Sequence, residues 1–185
     1  RRSVPTYFEV EPLVVGAGTK TGSRILYDNP RDVGADRSVD AAAALYLYGG
    51  PVIVVDIGTA TVFDAISKNG EYLGGAIAPG VNVAAEALYL NTAQLRRVEL
   101  ARTQTAIGKN TIASLQSGLF TGHLAIVVGM VDRFREEMGG RVNAIGTGGL
   151  APLFAKETNV FHAVNLELTL VGLRFVYELN HPETS

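Results

Sequence analysis

Three short segments hold the residues of this 185-residue chain whose types and spacing could do chemistry. They are DVGADR (32–37), VVDIGTATVFD (54–64) and YLGGAIAPG (72–80). Each combines carboxylates, hydroxyls or aromatic side chains with glycines, which let a backbone turn tightly or approach a phosphate closely. Together they predict a phosphate-handling site built where strands end and helices begin.

The middle segment is the most informative. The apolar run VIVV (52–55) predicts a strand buried on both faces, and Asp56 follows it directly. A carboxylate in that place must be solvated, paired or metal-bound, because an unpaired buried charge is costly. Gly58 allows a tight turn, and Thr59 offers a hydroxyl. An ordinary polar hairpin turn would explain the same residues.

Composition limits the class of protein. A hydrophobic content of 47% and a mean hydropathy of +0.19 indicate a globular domain with a well-filled core. The net charge of −2 gives no sign of nucleic-acid binding, and the absence of cysteine excludes disulfides and thiolate chemistry. No apolar run looks long enough to span a bilayer. We therefore expect a cytoplasmic protein with neither nucleic acid nor membrane as a partner.

The element pattern predicts an α/β chain with a mixed sheet. A meander of three strands at 52–56, 59–67 and 71–78 is expected, with Asn69-Gly70 in the second turn. Shorter strands are predicted at 12–15, 25–27 and 142–145, and helices at 36–48, 80–90, 111–138 and 168–179. This order fits the ribonuclease-H-like half of the actin, sugar-kinase and Hsp70 group, although other α+β domains share it.

Five segments in the same order resemble type III pantothenate kinases, over residues 22–180. They are DNPRDVGADRSVDAAAA, VIVVDIGTATVFDAISKNGEYLGGAIAPGV, TAQLRRVEL, IGKNTIASLQSGL and GTGGLAPL. The resemblance implies a two-lobed actin-like fold and a homodimer. It also implies phosphorylation of pantothenate to 4'-phosphopantothenate by ATP with Mg²⁺, the first step of coenzyme A synthesis.

One family feature has no match here. The family opens with an Asp-x-Gly-Asn-Thr phosphate loop, and the early residues of this chain do not resemble it. We therefore expect residues 1–50 to hold the remainder of the first lobe and the hinge, with the substrate motif, and residues 51–185 to form the second ribonuclease-H-like lobe. A chain without that loop is expected not to transfer phosphate by itself.

The resemblance assigns the acceptor side of the site to the first segment. Asp36 is implied to be the catalytic base for the pantothenate hydroxyl, and Arg37 to hold the substrate carboxylate with a bidentate fork. Tyr27, Gly34 and Ala35 are implied to contact pantothenate as well. From the residues alone, Asp36 could instead be a helix N-cap and Arg37 a surface charge.

Further roles follow from the other segments. Asp56 is implied to bind a monovalent cation, K⁺ or NH₄⁺. The nucleotide is implied to contact Gly58, Thr59, Gly148 and Gly149, although a glycine-rich turn after a strand is common. Thr111 is implied to reach pantothenate from the partner subunit, although a helix cap explains it too. Asp64 and the three histidines are expected to be structural or solvated.

Two functions from different classes remain open at this level. The first is a pantothenate kinase. The second is a non-catalytic pantothenate-binding or regulatory relative that lacks the first phosphate loop. Another kinase of the same fold is a wider alternative. It is disfavoured because the combination of GADR with a preceding YDNP (27–30) is a specific motif.

Overall fold

The computed structural model describes residues 12–16, 18–92 and 95–182. A short strand and one helix come first in these ranges and an antiparallel meander of three strands follows. Two helices, and then two single strands that alternate with two further helices, come after the meander. The strands are β1 (Arg24–Ile25), β2 (Val52–Ile57), β3 (Ala60–Ile66), β4 (Glu71–Pro79), β5 (Asn143–Thr147) and β6 (Ala163–Val164). The helices are α1 (Ala35–Tyr48), α2 (Val81–Asn91), α3 (Thr111–Met138), α4 (Ala151–Ala155) and α5 (Leu168–Asn180), with a 3₁₀ turn at Pro30–Asp32.

The strands form one mixed sheet in the order β1-β4-β3-β2-β5-β6. Strands β2, β3 and β4 are the antiparallel meander, whereas β5 lies parallel to β2, β6 parallel to β5, and β1 parallel to β4. The predicted turn between β3 and β4 is present, with Gly70 at a φ of +79° and its N–H donating to the Ser67 carbonyl at 3.0 Å. A meander extended by parallel strands on one side is the ribonuclease-H-like arrangement, so the predicted fold is confirmed.

Strand β2 has a packed layer on each face, as its apolar sequence predicts. Val52 and Val54 pack with residues of α1 and with Leu168 of α5. The alternate residues 53, 55 and 57 pack with α3 and α4 on the opposite face. Because side chains alternate along a strand, Asp56 shares the α1 face with Val54. The carboxylate is therefore directed towards the helix that carries the GADR motif.

Helix α1 belongs to the same core as the strands. Its alanines 41, 43 and 44 pack against β2 and β5, and it crosses α5 so closely that a Cβ atom at Gly172 would collide with the Val39 backbone. Residues 35–48 therefore pack as part of one layered unit with the sheet. The division of the chain at residue 50 stays a prediction.

The short elements differ from the prediction. Residues 12–15 are not a strand, and Leu13 and Val15 instead pack beside α1 and α5. Pro12 has no N–H to donate, and an apolar tetrapeptide becomes a strand only where a neighbour accepts its backbone hydrogen bonds. Strand β1 is Arg24–Ile25 rather than 25–27, and β6 was not predicted, because two-residue strands carry no pattern of their own.

Helix α3 corrects the expectation about membranes. Its 28 residues, with a mean hydropathy of 1.4 over the most apolar window, are long and apolar enough to cross a bilayer. The prediction that no segment reaches that length is therefore wrong. In the fold, Leu119, Phe120, Val127 and Val131 of α3 lie in the core under the sheet. One face of this apolar helix therefore packs in the core.

Candidate active site

A buried ion pair joins α1 to the sheet. The Arg37 Nε and Nη2 atoms donate to Asp64 Oδ1 at 3.0 and 2.7 Å, and the Tyr72 hydroxyl donates to the same oxygen at 2.6 Å. Arg37 and Asp64 are only 8% and 3% exposed. Burial acts to lower the pKa of Arg37, but the Asp64 carboxylate outweighs it and raises that pKa. Arg37 therefore keeps its charge, and Asp64 balances it.

Aromatic rings and a glycine complete this cluster. The Arg37 guanidinium lies 5.9 Å from the ring centroid of Tyr27 and 5.8 Å from that of Tyr72. A Cβ atom at Gly75 would come within 2.7 Å of Asp64 Oδ1 and 2.8 Å of Arg37 Nη2. Burial raises the pKa of Asp64, while the hydrogen bonds from Arg37 and Tyr72 oppose that rise. Gly75 thus leaves the space that the ion pair needs.

The structure contradicts two alternative interpretations of GADR, namely a surface position for Arg37 and an N-cap role for Asp36. Arg37 is buried, so it is not a surface charge. The N-cap of α1 is Gly34, not Asp36, which lies in the first helical turn and is exposed. The Asp36 carboxylate lies so close to Gly34 that a Cβ atom on Gly34 would collide with it. Binding of a substrate carboxylate by the Arg37 guanidinium stays a prediction. If the Nε and Nη2 atoms bound it, the substrate carboxylate would have to displace Asp64.

Asp64 has a larger role than the sequence suggested. It pairs with Val54 across the β2–β3 ladder, so it faces α1 from the same side of the sheet as Asp56. Sequence reasoning treated it as structural, and its structural role is to anchor the GADR helix. Tyr72 was missed as a site residue. The sequence feature that could have indicated it is its position as the first residue of YLGGAIAPG.

The predicted cation and nucleotide residues come together around Asp56. Its Oδ1 atom lies against Gly148, where a Cβ atom would collide with it, and 3.5 Å from the Cβ position of Gly58. Asp56 is half-buried. Burial raises its pKa, and the negative charges of Asp36 and Asp64 raise it further. The negative charge of Asp56 is therefore costly in this place unless a proton or a cation offsets it.

Backbone hydrogen bonds hold three turns together at this edge of the sheet. The Leu150 N–H donates to the Ile57 carbonyl and the Gly80 N–H to the Thr59 carbonyl, each at 3.1 Å. The turns before α2, before α4 and between β2 and β3 are therefore linked through their backbones. Thr59 and Gly149 are exposed, so their polar atoms remain accessible. The predicted nucleotide residues Gly58, Thr59, Gly148 and Gly149 thus share one surface.

Two cavities contain the other predicted substrate residues. Gly34 and Ala35 line a cavity of about 730 Å³ together with residues of the 15–21 and 29–33 segments. Thr111 lies elsewhere, in a cavity of about 330 Å³ with Arg96 and Asn110. The cap of α3 is Asn110, whose side chain accepts the Ala113 N–H at 2.9 Å, so the cap explanation for Thr111 is wrong. Thr111 is exposed at the first helical position.

Asp40 is a buried carboxylate that sequence reasoning missed. It lies one turn after Asp36 on α1 and is 4% exposed. Among the residues that the structure describes, its Oδ1 atom has no hydrogen-bond partner. Burial raises its pKa to about 6, opposed by the Thr169 hydroxyl and reinforced by the charges of Asp56, Asp64 and Asp36. The only signal in the sequence was the i, i+4 spacing from Asp36, which places both on one side of the helix.

Replacement of Asp40 by Asn should stabilise the protein in a pH-dependent way. The pKa is raised in the folded state, so wild type loses stability as the pH rises from the unfolded value of 3.8 through about 6. Above pH 7 the gain in the free energy of unfolding should approach about 3 kcal/mol and shrink towards pH 4. Urea unfolding at pH 5 and pH 8 measures it, with the exposed Asp132→Asn as control. An equal gain at both pH values would contradict the assignment.

Comparison with known proteins places the chain in a family. The sequence profile of type III pantothenate kinases matches residues 1–133. The type III pantothenate kinase of Moorella thermoacetica is 55% identical over 170 residues, covering 92% of this chain and 67% of that protein. The Myxococcus xanthus enzyme of the same name is 51% identical over 175 residues, covering 95% and 68%. The chain thus spans about two thirds of the length of these relatives.

A solved structure resembles the fold. A protein titled a conserved Baf family transcriptional activator, from Campylobacter jejuni, superposes with a TM-score of 0.59 at 22% identity, over 85% of this chain and 68% of that one. At that identity the likeness concerns the fold alone. The sequence relatives carry the assignment, and the chain belongs to the type III pantothenate kinase family.

Proposed function

We propose that this chain supplies the pantothenate side and one nucleotide wall of a site that transfers the terminal phosphoryl group of ATP to pantothenate. The product is 4'-phosphopantothenate, in the first step of coenzyme A synthesis. One observation carries the proposal. The start of α1, with Asp36, and the glycine turns around Asp56 lie close enough on one face of the sheet for the two carboxylates to influence each other. No observation favours the non-catalytic relative.

The position of Asp36 supports the proposal that it is the base. It is exposed in the first turn of α1, directly after the Gly34 and Ala35 backbone that lines the larger cavity. The pantothenate hydroxyl oxygen attacks the terminal phosphorus, its proton passes to the Asp36 carboxylate, and ADP leaves. Phosphoryl transfer depends chiefly on positioning and charge stabilisation. The buried Arg37–Asp64 pair supplies that positioning, because it fixes the residue next to Asp36.

The glycine turns support binding of the ATP phosphates. Gly58 and Gly148 let the backbone come close, and the exposed Thr59 offers a hydroxyl. Among the residues that the structure describes, no group of three or more Asp, Glu or His side chains could hold a metal ion. Mg²⁺ commonly binds through one or two carboxylates and the substrate phosphates. Mg²⁺ here would accompany ATP in that way.

Asp56 fits a monovalent cation. It is a single half-buried carboxylate beside two glycine turns, and its charged neighbours are also carboxylates. Hard oxygen ligands of this kind suit K⁺, with NH₄⁺ as its substitute. A cation there would offset the repulsion between Asp56 and Asp36. It would also leave the neighbourhood less negative for the ATP phosphates.

The protein is proposed to be a cytoplasmic homodimer, and an apolar groove supports the dimer. The groove, of about 750 Å³, lies between α2 and α3 and is lined mainly by apolar residues such as Val83, Leu88 and Leu119. Leu115 lines both this groove and the cavity of Thr111. A second copy seated on the groove would therefore lie beside Thr111. That arrangement fits a Thr111 hydroxyl that serves the partner subunit's substrate.

Replacement of Asp36 by Asn tests the function. The exposed side chain makes little contribution to packing, so the fold should persist while kcat falls by about 10²–10⁴ with the loss of the base. Steady-state kinetics with ATP and pantothenate, on the protein that contains this chain, measures the change. Asp132→Asn, an exposed carboxylate on α3, is the control. A kcat near that of wild type would refute the assignment of Asp36.

A second prediction concerns potassium. Activity should rise with K⁺ or NH₄⁺ and respond little to Na⁺ at constant ionic strength, and Asp56→Asn should abolish the difference between the two salts. Initial rates in each salt measure it, with Asp132→Asn expected to keep the wild-type response. Asp56→Asn that responds to K⁺ as wild type does would count against the site.

A third prediction concerns assembly. Gly118 lines the groove, and a Cβ atom there meets nothing within 4 Å, so Gly118→Glu adds a charge without a clash inside the chain. Sedimentation should show a dimer for wild type and a shift to monomer for this variant. Gly129→Glu, at an equally open position on α3 outside the groove, should remain a dimer. A monomeric wild type, or equal behaviour of both variants, would exclude this interface.

A further inference from the structure

A buried hydrogen bond connects α3 to the strand that follows the Gly58–Thr59 turn. Thr61 Oγ1 and His123 Nε2 lie 2.9 Å apart. Thr61 has no exposed surface and His123 is 5% exposed. Two polar side chains buried in an apolar layer are costly unless they satisfy each other. Neither residue is used by the site described above.

Thr61 lies at the base of the nucleotide hairpin. It pairs with Ile57 across the β2–β3 ladder, so these two residues frame the tip that holds Gly58 and Thr59. The Gly58 N–H closes the tip by donating to the Ala60 carbonyl at 2.9 Å. A hydrogen bond that holds the Thr61 side chain therefore also restrains the base of that tip.

His123 also contacts α4, the helix that follows the second glycine turn. Its ring centroid lies 5.1 Å from that of Phe154, in a tilted arrangement. Phe154 belongs to α4, which begins directly after Gly148 and Gly149. The same ring thus touches the elements behind both turns. Burial lowers the pKa of His123, so the ring is neutral and pairs with a hydroxyl without placing a charge in the core.

We propose that His123 is a positioning residue for the nucleotide, because through Thr61 and Phe154 it sets the spacing between the Gly58–Thr59 hairpin and the Gly148–Gly149 turn. The inference rests on the proposed nucleotide role of those turns. An apolar side chain of similar size would fill the space but would not fix the Thr61 hydroxyl. Phosphoryl transfer is sensitive to displacements of this kind, since small misplacements of reacting groups cost large factors in rate.

Three variants separate positioning from simple packing. Thr61→Val and His123→Leu should each raise the KM for ATP about tenfold and leave the KM for pantothenate unchanged. The double variant removes both polar partners, so its free energy of unfolding should return towards wild type while the KM for ATP stays high. His123→Gln, which keeps a nitrogen near the Nε2 position, should retain most of the wild-type KM. The control is His162→Gln, because His162 is exposed and has no part in the Thr61 contact.

Amide hydrogen exchange without nucleotide separates this inference from the proposed function. The N–H groups of Gly58 and Leu150 donate the bonds that hold the turns, so they should exchange faster in the Thr61→Val and double variants. Unchanged exchange at both would overturn the inference. A double variant with wild-type stability and wild-type KM for ATP would also overturn it, since the pair would then only fill the core. Faster exchange with an unchanged KM would instead refute the nucleotide role of the turns, and the inference with it.

Discussion

The Arg37–Asp64 ion pair is the interaction on which the site depends. It crosses from α1 to β3, lies almost entirely out of water, and is completed by the Tyr72 hydroxyl. Removal of one partner from such a pair leaves an uncompensated buried charge, which costs several kcal/mol. Asp36 precedes Arg37 by one residue, so the same bond fixes where the proposed base can be. Gly75 is tied to the arrangement, because any side chain there would occupy the volume of the pair.

The alternation of side chains along β2 and β3 divides the protein into two functional faces. Asp56 and Asp64 point to the α1 face, where the carboxylates meet the GADR helix. Thr61 points to the other face, where it meets His123 of α3. A shift of the β2–β3 register by one residue would exchange these faces and separate Asp64 from Arg37. The packed apolar residues of β2 fix this register, so they hold Asp64 beside Arg37 as well as filling the core.

Patterns that are local in the sequence were predicted well, and contacts between distant elements were not. The bounds of α3, the Asn69-Gly70 turn and the place of Asp56 near the end of a buried strand follow from periodicity and turn chemistry over a few residues. The partner of Arg37 lies 27 residues away, and it depends on helix rotation and strand register together. The true cap of α3, Asn110, competes with an equally suitable Thr111 next to it, and propensity alone does not separate them.

The acidic groups around the site bear on the proposal that it binds cations. Asp36, Asp40, Asp56 and Asp64 lie near enough for their charges to interact, and the positive charge of Arg37 is already balanced by Asp64. ATP brings further negative charge to this neighbourhood, which would oppose binding unless cations arrive with it. The proposed monovalent ion beside Asp56 and Mg²⁺ on the phosphates would offset that repulsion in different places. Asp40 relieves it in another way, since its raised pKa lets it take up a proton more readily than an ordinary carboxylate. The repulsion within this acidic cluster therefore favours protonation of the buried Asp40 and would favour the proposed cation beside Asp56.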